Sequence, residues 1–95
     1  MEIVKNFYKR NLIIEERNHF GRQCVFRFEN NYGLSVIEQI DGAGPKYNIA
    51  VIKFNEKDKK NNDYEIDYKN KIATNDVLTD KEEVIKHLLE SVRSL

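Results

Sequence analysis

The chain has 95 residues, 40% of them hydrophobic and 34% charged, and its 16 basic and 16 acidic side chains leave a formal net charge of zero. That length supports one hydrophobic core and a single domain spanning 1–95, and the balance is that of a globular chain rather than a disordered one. No apolar run approaches the ~18 residues of a membrane span, no signal-peptide pattern opens the chain, and zero net charge argues against a general polyanion binder or a nucleic-acid mimic.

Residues 1–10 carry Ile3, Val4, Phe7 and Tyr8 and form either a flexible arm or a short helix. "RNLIIEER" offers a strand that would pair with 23–29 through the turn "NHFGR". In "QCVFRFE", Cys24, Phe26 and Phe28 share one face while Val25 and Arg27 share the other. Asn30, Asn31 and Gly33 tolerate the positive φ of a tight hairpin, so "ENNYG" reads as a turn with Tyr32 at its tip, either packing or an exposed contact, packing being the first reading. The next strand, "YGLSVIEQI", sets Leu34 and Val36 against Ser35 and Ile37. "DGAGPK" is a flexible connection, and "KYNIAVIKF" places Tyr47, Ile49 and Val51 on one side and Ala50, Ile52 and Phe54 on the second. A strand apolar on both faces is a central one. Beyond the charged connection "EKDKKNND", "DYEIDY" alternates strictly, with Tyr64, Ile66 and Tyr68 inward and Asp63, Glu65 and Asp67 outward.

The C-terminal "TDKEEVIKHLLESVRSL" predicts an amphipathic helix of about fourteen residues. Thr79 and Glu82 form a capping-box pattern; Asp80, Glu82 and Glu83 suit the first turn and Arg93 the last. Val84, Ile85, Leu88, Leu89, Val92 and Leu95 make the apolar stripe. The predicted fold class is therefore α+β: an antiparallel β-meander of four to five strands with this helix packed on one face.

Reactive chemistry is sparse. Cys24, the single cysteine, lies beside Phe26 and Phe28 and reads as a buried structural thiol in a reducing, cytoplasmic setting. His19 falls in a turn, and His87 with Glu83 and Glu90 reads as a solvated helix face rather than a metal site. The lone Gly-x-Gly of "DGAGPK" is followed by Pro45 and a strand, not by a helix, so it is no phosphate loop. "DKKNND" misses the calcium-loop template at its third and sixth positions. No nucleophile, base and pocket come together; an enzyme is not expected, nor are a cofactor or a metal.

Two charged groups remain. Asp63, Glu65 and Asp67 recur every second residue on one strand face, a solvated edge that could meet a basic protein patch. Residues 1–27 hold six cations, Lys5, Lys9, Arg10, Arg17, Arg22 and Arg27, against Glu2, Glu15 and Glu16.

"FENNYGLSVIEQ", "YNIAVIKF" and "NDVLTDKEEVIKHLLESVRSL" together resemble a loose group of small phage and prophage proteins. The likeness is carried by Tyr32, Gly33, Ser35, Val36, Ala50, Val51, Asp76 and Val77 and covers about residues 24–95. "DGAGPK" is a spare version of that group's second glycine-rich stretch. The resemblance implies a non-enzymatic interaction module in a bacterial host cell that occupies a host protein, such as a defence nuclease complex in the manner of anti-CRISPR proteins. Its expected contacts are Asp63, Glu65, Asp67 and the hairpin tip, with Asn31, Tyr32, Tyr47 and Tyr68 as anchors where exposed. The alternatives are a nucleic-acid accessory protein using the six N-terminal cations, provided they converge, and a homodimer pairing through a strand edge or helix surface. No membrane partner is expected.

Overall fold

The structure is a computed structural model that describes residues 1–18, 21–41, 44–55, 57 and 63–95. The expected turn at His19, the centre of "DGAGPK" and most of "EKDKKNND" lie outside the described residues. A short helix α1 (Glu2–Phe7) leads into strands β1 (Leu12–Asn18), β2 (Gly21–Arg27), β3 (Tyr32–Asp41) and β4 (Gly44–Phe54). Two short strands, β5 (Tyr64–Ile66) and β6 (Val77–Thr79), precede the helix α2 (Glu82–Arg93). Of the two readings of residues 1–10, the short helix is the one found. Glu2 in its first turn and Lys5 in its last both suit the helix dipole.

All six strands join one antiparallel sheet in the order β1-β2-β3-β4-β5, with β6 also on β4. The expected meander is present and is extended by this last strand. β4 is long enough for β5 to pair at Ile52–Phe54 and β6 at Tyr47–Ile49 along the same edge. Between them the chain makes an excursion organised by the buried Asn70. Its amide donates to the carbonyls of Asp67 and Ala73, and its Oδ1 accepts from the N–H groups of Ile72 and Ala73.

The alternation of each strand decides what lies on either face. Cys24, Phe26, Phe28, Leu34, Val36, Tyr47, Ile49 and Val51 face the helices and meet Met1, Val4 and Tyr8 from α1 and its flanks. Ile85, Leu88, Leu89 and Val92 reach the same core from α2. On the opposite face a smaller cluster, Val25, Ile52 and Phe54, is covered by Ile13, Ile14 and Tyr64. A bulge in β1 sets two residues, Ile13 and Ile14, against Val25 alone. Side chains from both ends of the strand order thus meet over the central strands, and β4 is buried on both faces as its sequence implies.

Two expectations need correction. Thr79 does not cap α2: it ends β6 opposite Tyr47, and its hydroxyl accepts from the Lys81 N–H. Lys81 is the N-cap residue and makes no side-chain cap bond. Glu82, freed from the capping box, points to α1, where its Oε1 lies 2.7 Å from the Met1 ammonium and accepts from the Val4 N–H at 3.1 Å. Burial pushes the Glu82 carboxyl up, but these hydrogen bonds outweigh it and hold the group below its ordinary 4.5. A carboxyl lowered on folding contributes stability that is present above its unfolded value and disappears as pH falls through the folded one. Glu82→Gln should therefore cost stability at pH 7, and the difference should shrink as pH falls from the ordinary carboxyl value through the lowered folded one. Urea titrations of both proteins across that range check this; a gap that stays constant with pH would contradict it.

The second correction concerns β5. Tyr64, Ile66 and Tyr68 were expected inward, yet only Tyr64 is half-buried; Ile66 and Tyr68 are 46% and 48% exposed. β5 is a three-residue strand at the sheet edge, where no covering layer reaches its outer residues.

Candidate functional site

The hairpin tip "ENNYG" proves to be an anchor of the fold. Asn31 takes φ 66°, and the Asn30 Oδ1 accepts from the Tyr32 N–H at 3.0 Å, closing the turn. The Asn30 amide then donates to the carbonyls of Val92 and Arg93, tying down the C-terminal end of α2, and to a backbone oxygen of Leu95 beyond it. Asn31 accepts from the Arg27 guanidinium at 2.9 Å, and Tyr32 packs against the main core with the Lys53 ammonium 5.5 Å from its ring centre. Tyr47, named as an anchor if exposed, is buried; burial pushes its phenol up, and its hydroxyl accepts from the Met1 ammonium.

The three carboxylates are not gathered into one ligand set. Asp63 and Glu65 line a groove of about 610 Å³ together with Lys53 and Lys57, with Glu65 directly opposite Lys53 in the ladder. Asp67 lies past the end of β5, where its Oδ1 accepts from the Lys69 N–H and closes a turn. Their pattern is thus partly matched by cations and partly spent on local structure. Cys24 is fully buried and burial raises its thiol, the reverse of an activated nucleophile. His87, Glu83 and Glu90 are exposed on α2, and the described residues contain no group of three or more metal-ligating side chains.

The six N-terminal cations separate into two sets. Lys5 bridges Glu15 at 2.7 Å and Glu2 at 3.5 Å, and Arg22 reaches Glu38, Glu2 and Glu15 at 3.2, 3.3 and 3.7 Å. Both are consumed in an ion network that fastens α1 to the sheet. Lys9, Arg10 and Arg17 are exposed, and Arg27 lies half-buried with its guanidinium over the Phe54 ring at 4.5 Å.

What remains most open is apolar. Leu78 is 75% exposed. In the ladder it stands opposite Asn48, which stands opposite Ile37, so these three form one row across the face that the helices leave open. Ile66, opposite Ile52, projects onto the same face from β5. Tyr68 adds its ring beside this edge, its hydroxyl donating to Asp76 at 3.1 Å. Within the row the Asn48 Oδ1 is shielded from solvent and has no hydrogen-bond partner among the described residues. A second exposed pair, Ile3 and Phe7, lies on the outer side of α1, with the Lys86 ammonium 4.6 Å from the Phe7 ring centre.

Sequence reasoning missed Leu78, whose segment "NDVLT" reads as the approach to a helix. The signal available was the β-branched and aliphatic run Val77–Thr79.

No family model, curated protein or solved structure matches this chain. Among the described residues no helix is long and apolar enough to cross a membrane.

Proposed function

We propose that this protein is a non-enzymatic protein-binding module whose contact surface is the open sheet face along the outer edge of β4. The observation that carries the reading is the solvent exposure of Leu78, Ile66 and Tyr68 along the edge where β5 and β6 pair with β4. Large apolar side chains held rigidly in water are the usual anchors of a protein interface. Asp76 and Asp80, two residues either side of Leu78, are exposed, so the complementary partner carries apolar residues beside lysine or arginine. The resemblance to phage proteins makes a basic, nucleic-acid-handling host protein such as a defence nuclease the first partner to test.

Leu78→Glu is the discriminating variant, because an exposed position tolerates it within about 0.5 kcal/mol of folding stability. A nuclease complex purified from the host and titrated calorimetrically should bind the natural protein, and L78E should weaken binding by about tenfold or more. Binding that L78E leaves intact would overturn the assignment of this face. Sedimentation of the protein alone gives the competing outcome: self-association lost in L78E would assign the face to a second copy.

A further inference from the structure

We infer that the outer edge of β5 and β6 takes an extended segment of the partner as a further antiparallel strand, its alternate residues apolar with lysine or arginine between them. This deepens the reading of the open face given above and rests on it. The hydrogen bonds of β4 locate the open groups. Its Val51 carbonyl accepts from the Asp67 N–H at 2.8 Å, and its Asn55 N–H donates to the Asp63 carbonyl at 3.0 Å, both outward. Phe54 bonds inward, its N–H donating to the Asn31 carbonyl at 2.8 Å. In an antiparallel ladder this alternation continues residue by residue. The backbones of Lys53 and Glu65, Ile49 and Val77, and Tyr47 and Thr79 are therefore the bonded pairs, while Tyr64, Ile66 and Leu78 stand opposite the inward-bonding Phe54, Ile52 and Asn48. The N–H and C=O groups of Tyr64, Ile66 and Leu78 point away from β4 and have no backbone partner among the described residues.

The two short strands act as one interrupted edge. Between Val51, bonded by Asp67, and Ile49, opposite Val77, only Ala50 intervenes along β4, because the chain from Tyr68 to Asp76 leaves the ladder in the excursion held by Asn70. Backbone and side chains then select the same occupant. A residue hydrogen-bonded opposite Ile66 or Leu78 places its side chain beside theirs on the open face, where an apolar group covers them. Main-chain bonds supply the affinity of such an added strand and alternate side chains its specificity. Glu65 already faces Lys53 in the ladder, but the ion pairs among the described residues engage neither Asp76 nor Asp80, which leaves both to attract cations. The opposite edge of the sheet is protected. β1 has Glu15, Glu16 and Arg17 in succession and a bulge at Ile13 and Ile14, two devices that discourage a strand from adding.

The probe is a labelled peptide of about nine residues alternating valine and lysine, roughly the extended length of the edge. Its binding to the full chain is followed by fluorescence anisotropy. Two further peptides carry N-methyl groups, one on every valine nitrogen and the other on every lysine nitrogen. All three have the same charge, so general attraction to carboxylates is common to them. In antiparallel pairing the valines opposite Ile66 and Leu78 turn their N–H groups to the edge, and the lysines turn theirs to solvent. Valine methylation should weaken binding about tenfold or more, and lysine methylation by no more than about twofold. The Ile66 and Leu78 amides should exchange hydrogen freely in the protein alone and about tenfold more slowly with the parent peptide bound. Equal binding of the two methylated peptides, the reverse ranking, or no binding of the parent at about 1 mM overturns the added strand. Leu78→Ser, which alters no charge, should weaken the parent about fivefold or more. Weakening by Leu78→Ser together with equal methylated peptides leaves the face in use through side chains and overturns the strand alone. Parent binding unchanged in Leu78→Ser removes the face itself, and the strand with it.

Discussion

Gly33→Ala should be among the most damaging single-methyl additions to this protein, costing about 3 kcal/mol and lowering the melting temperature by about 12 °C or more. The cause is space. A Cβ on Gly33 would fall 1.9 Å from the Phe26 carbonyl oxygen and 2.8 Å from the Phe54 ring. The first is backbone: it cannot move without disturbing the ladder between β2 and β3, where Gly33 pairs with Arg27. The second is a ring with no room to turn, since Phe54 is buried, packed against Tyr64 at 5.5 Å and overlaid by Arg27. The bare glycine thus lets the Phe54 ring lie directly on the β3 backbone, and the second core is built upon that contact. A domain of this size has about 5–10 kcal/mol of stability in total, so the loss is a large fraction of it. Thermal unfolding followed by far-ultraviolet circular dichroism measures it; a fall of less than about 4 °C would show that the sheet relaxes around the methyl group.

The same residues show what a sequence can and cannot disclose. The two-sided burial of β4 and the stripe of α2 are periodic signals, and both were legible because alternation and helical spacing state which residues share a face. Alternation does not state how far the covering layer extends. Ile66 repeats the pattern of Tyr64, yet the cover reaches Tyr64 and stops, because only β5's first residue lies over the second core. The capping box at Thr79 and Glu82 fails for a related reason. Strand pairing with Tyr47 claims Thr79, and the Met1 ammonium claims Glu82, both partners being far away in sequence. Gly33 was legible as a turn residue, while its actual requirement comes from the Phe26 carbonyl on the paired strand and from Phe54, 21 positions on. The surroundings of the β2–β3 hairpin tip, where Arg10, Arg27 and Arg93 come together, are the extreme case. Arg10 and Arg27 belonged to an evident basic region, but Arg93 read as a helix-dipole partner at the opposite end of the chain. Core packing of Leu88, Leu89 and Val92 on the sheet, with Asn30 holding the end of α2 at the hairpin, makes them neighbours.

Arg22→Ala should cost about 3–4 kcal/mol, far more than loss of an exposed cation. Arg22 and Glu38 are only 12% and 7% exposed at their side chains and meet at 3.2 Å on the helix side of the sheet. Removing the guanidinium strands the Glu38 carboxylate in a site with little access to water. It also withdraws the cation shared with Glu2 and Glu15, although Lys5 still holds both of these. The pair is not for that reason a net source of stability. Arg22 Nε is buried without a partner among the described residues, so part of the desolvation of the guanidinium goes unrecovered. Replacing both charges by apolar groups of similar length removes that cost along with the attraction. Arg22→Met combined with Glu38→Leu should accordingly lie within about 1 kcal/mol of the natural protein. Urea midpoints of Arg22→Met, Glu38→Leu and the double variant close the cycle. If the double variant is as unstable as Arg22→Ala, the network stabilises α1 on the sheet in its own right. If Arg22→Ala loses less than about 1 kcal/mol, water reaches Glu38 freely and the network is a surface feature.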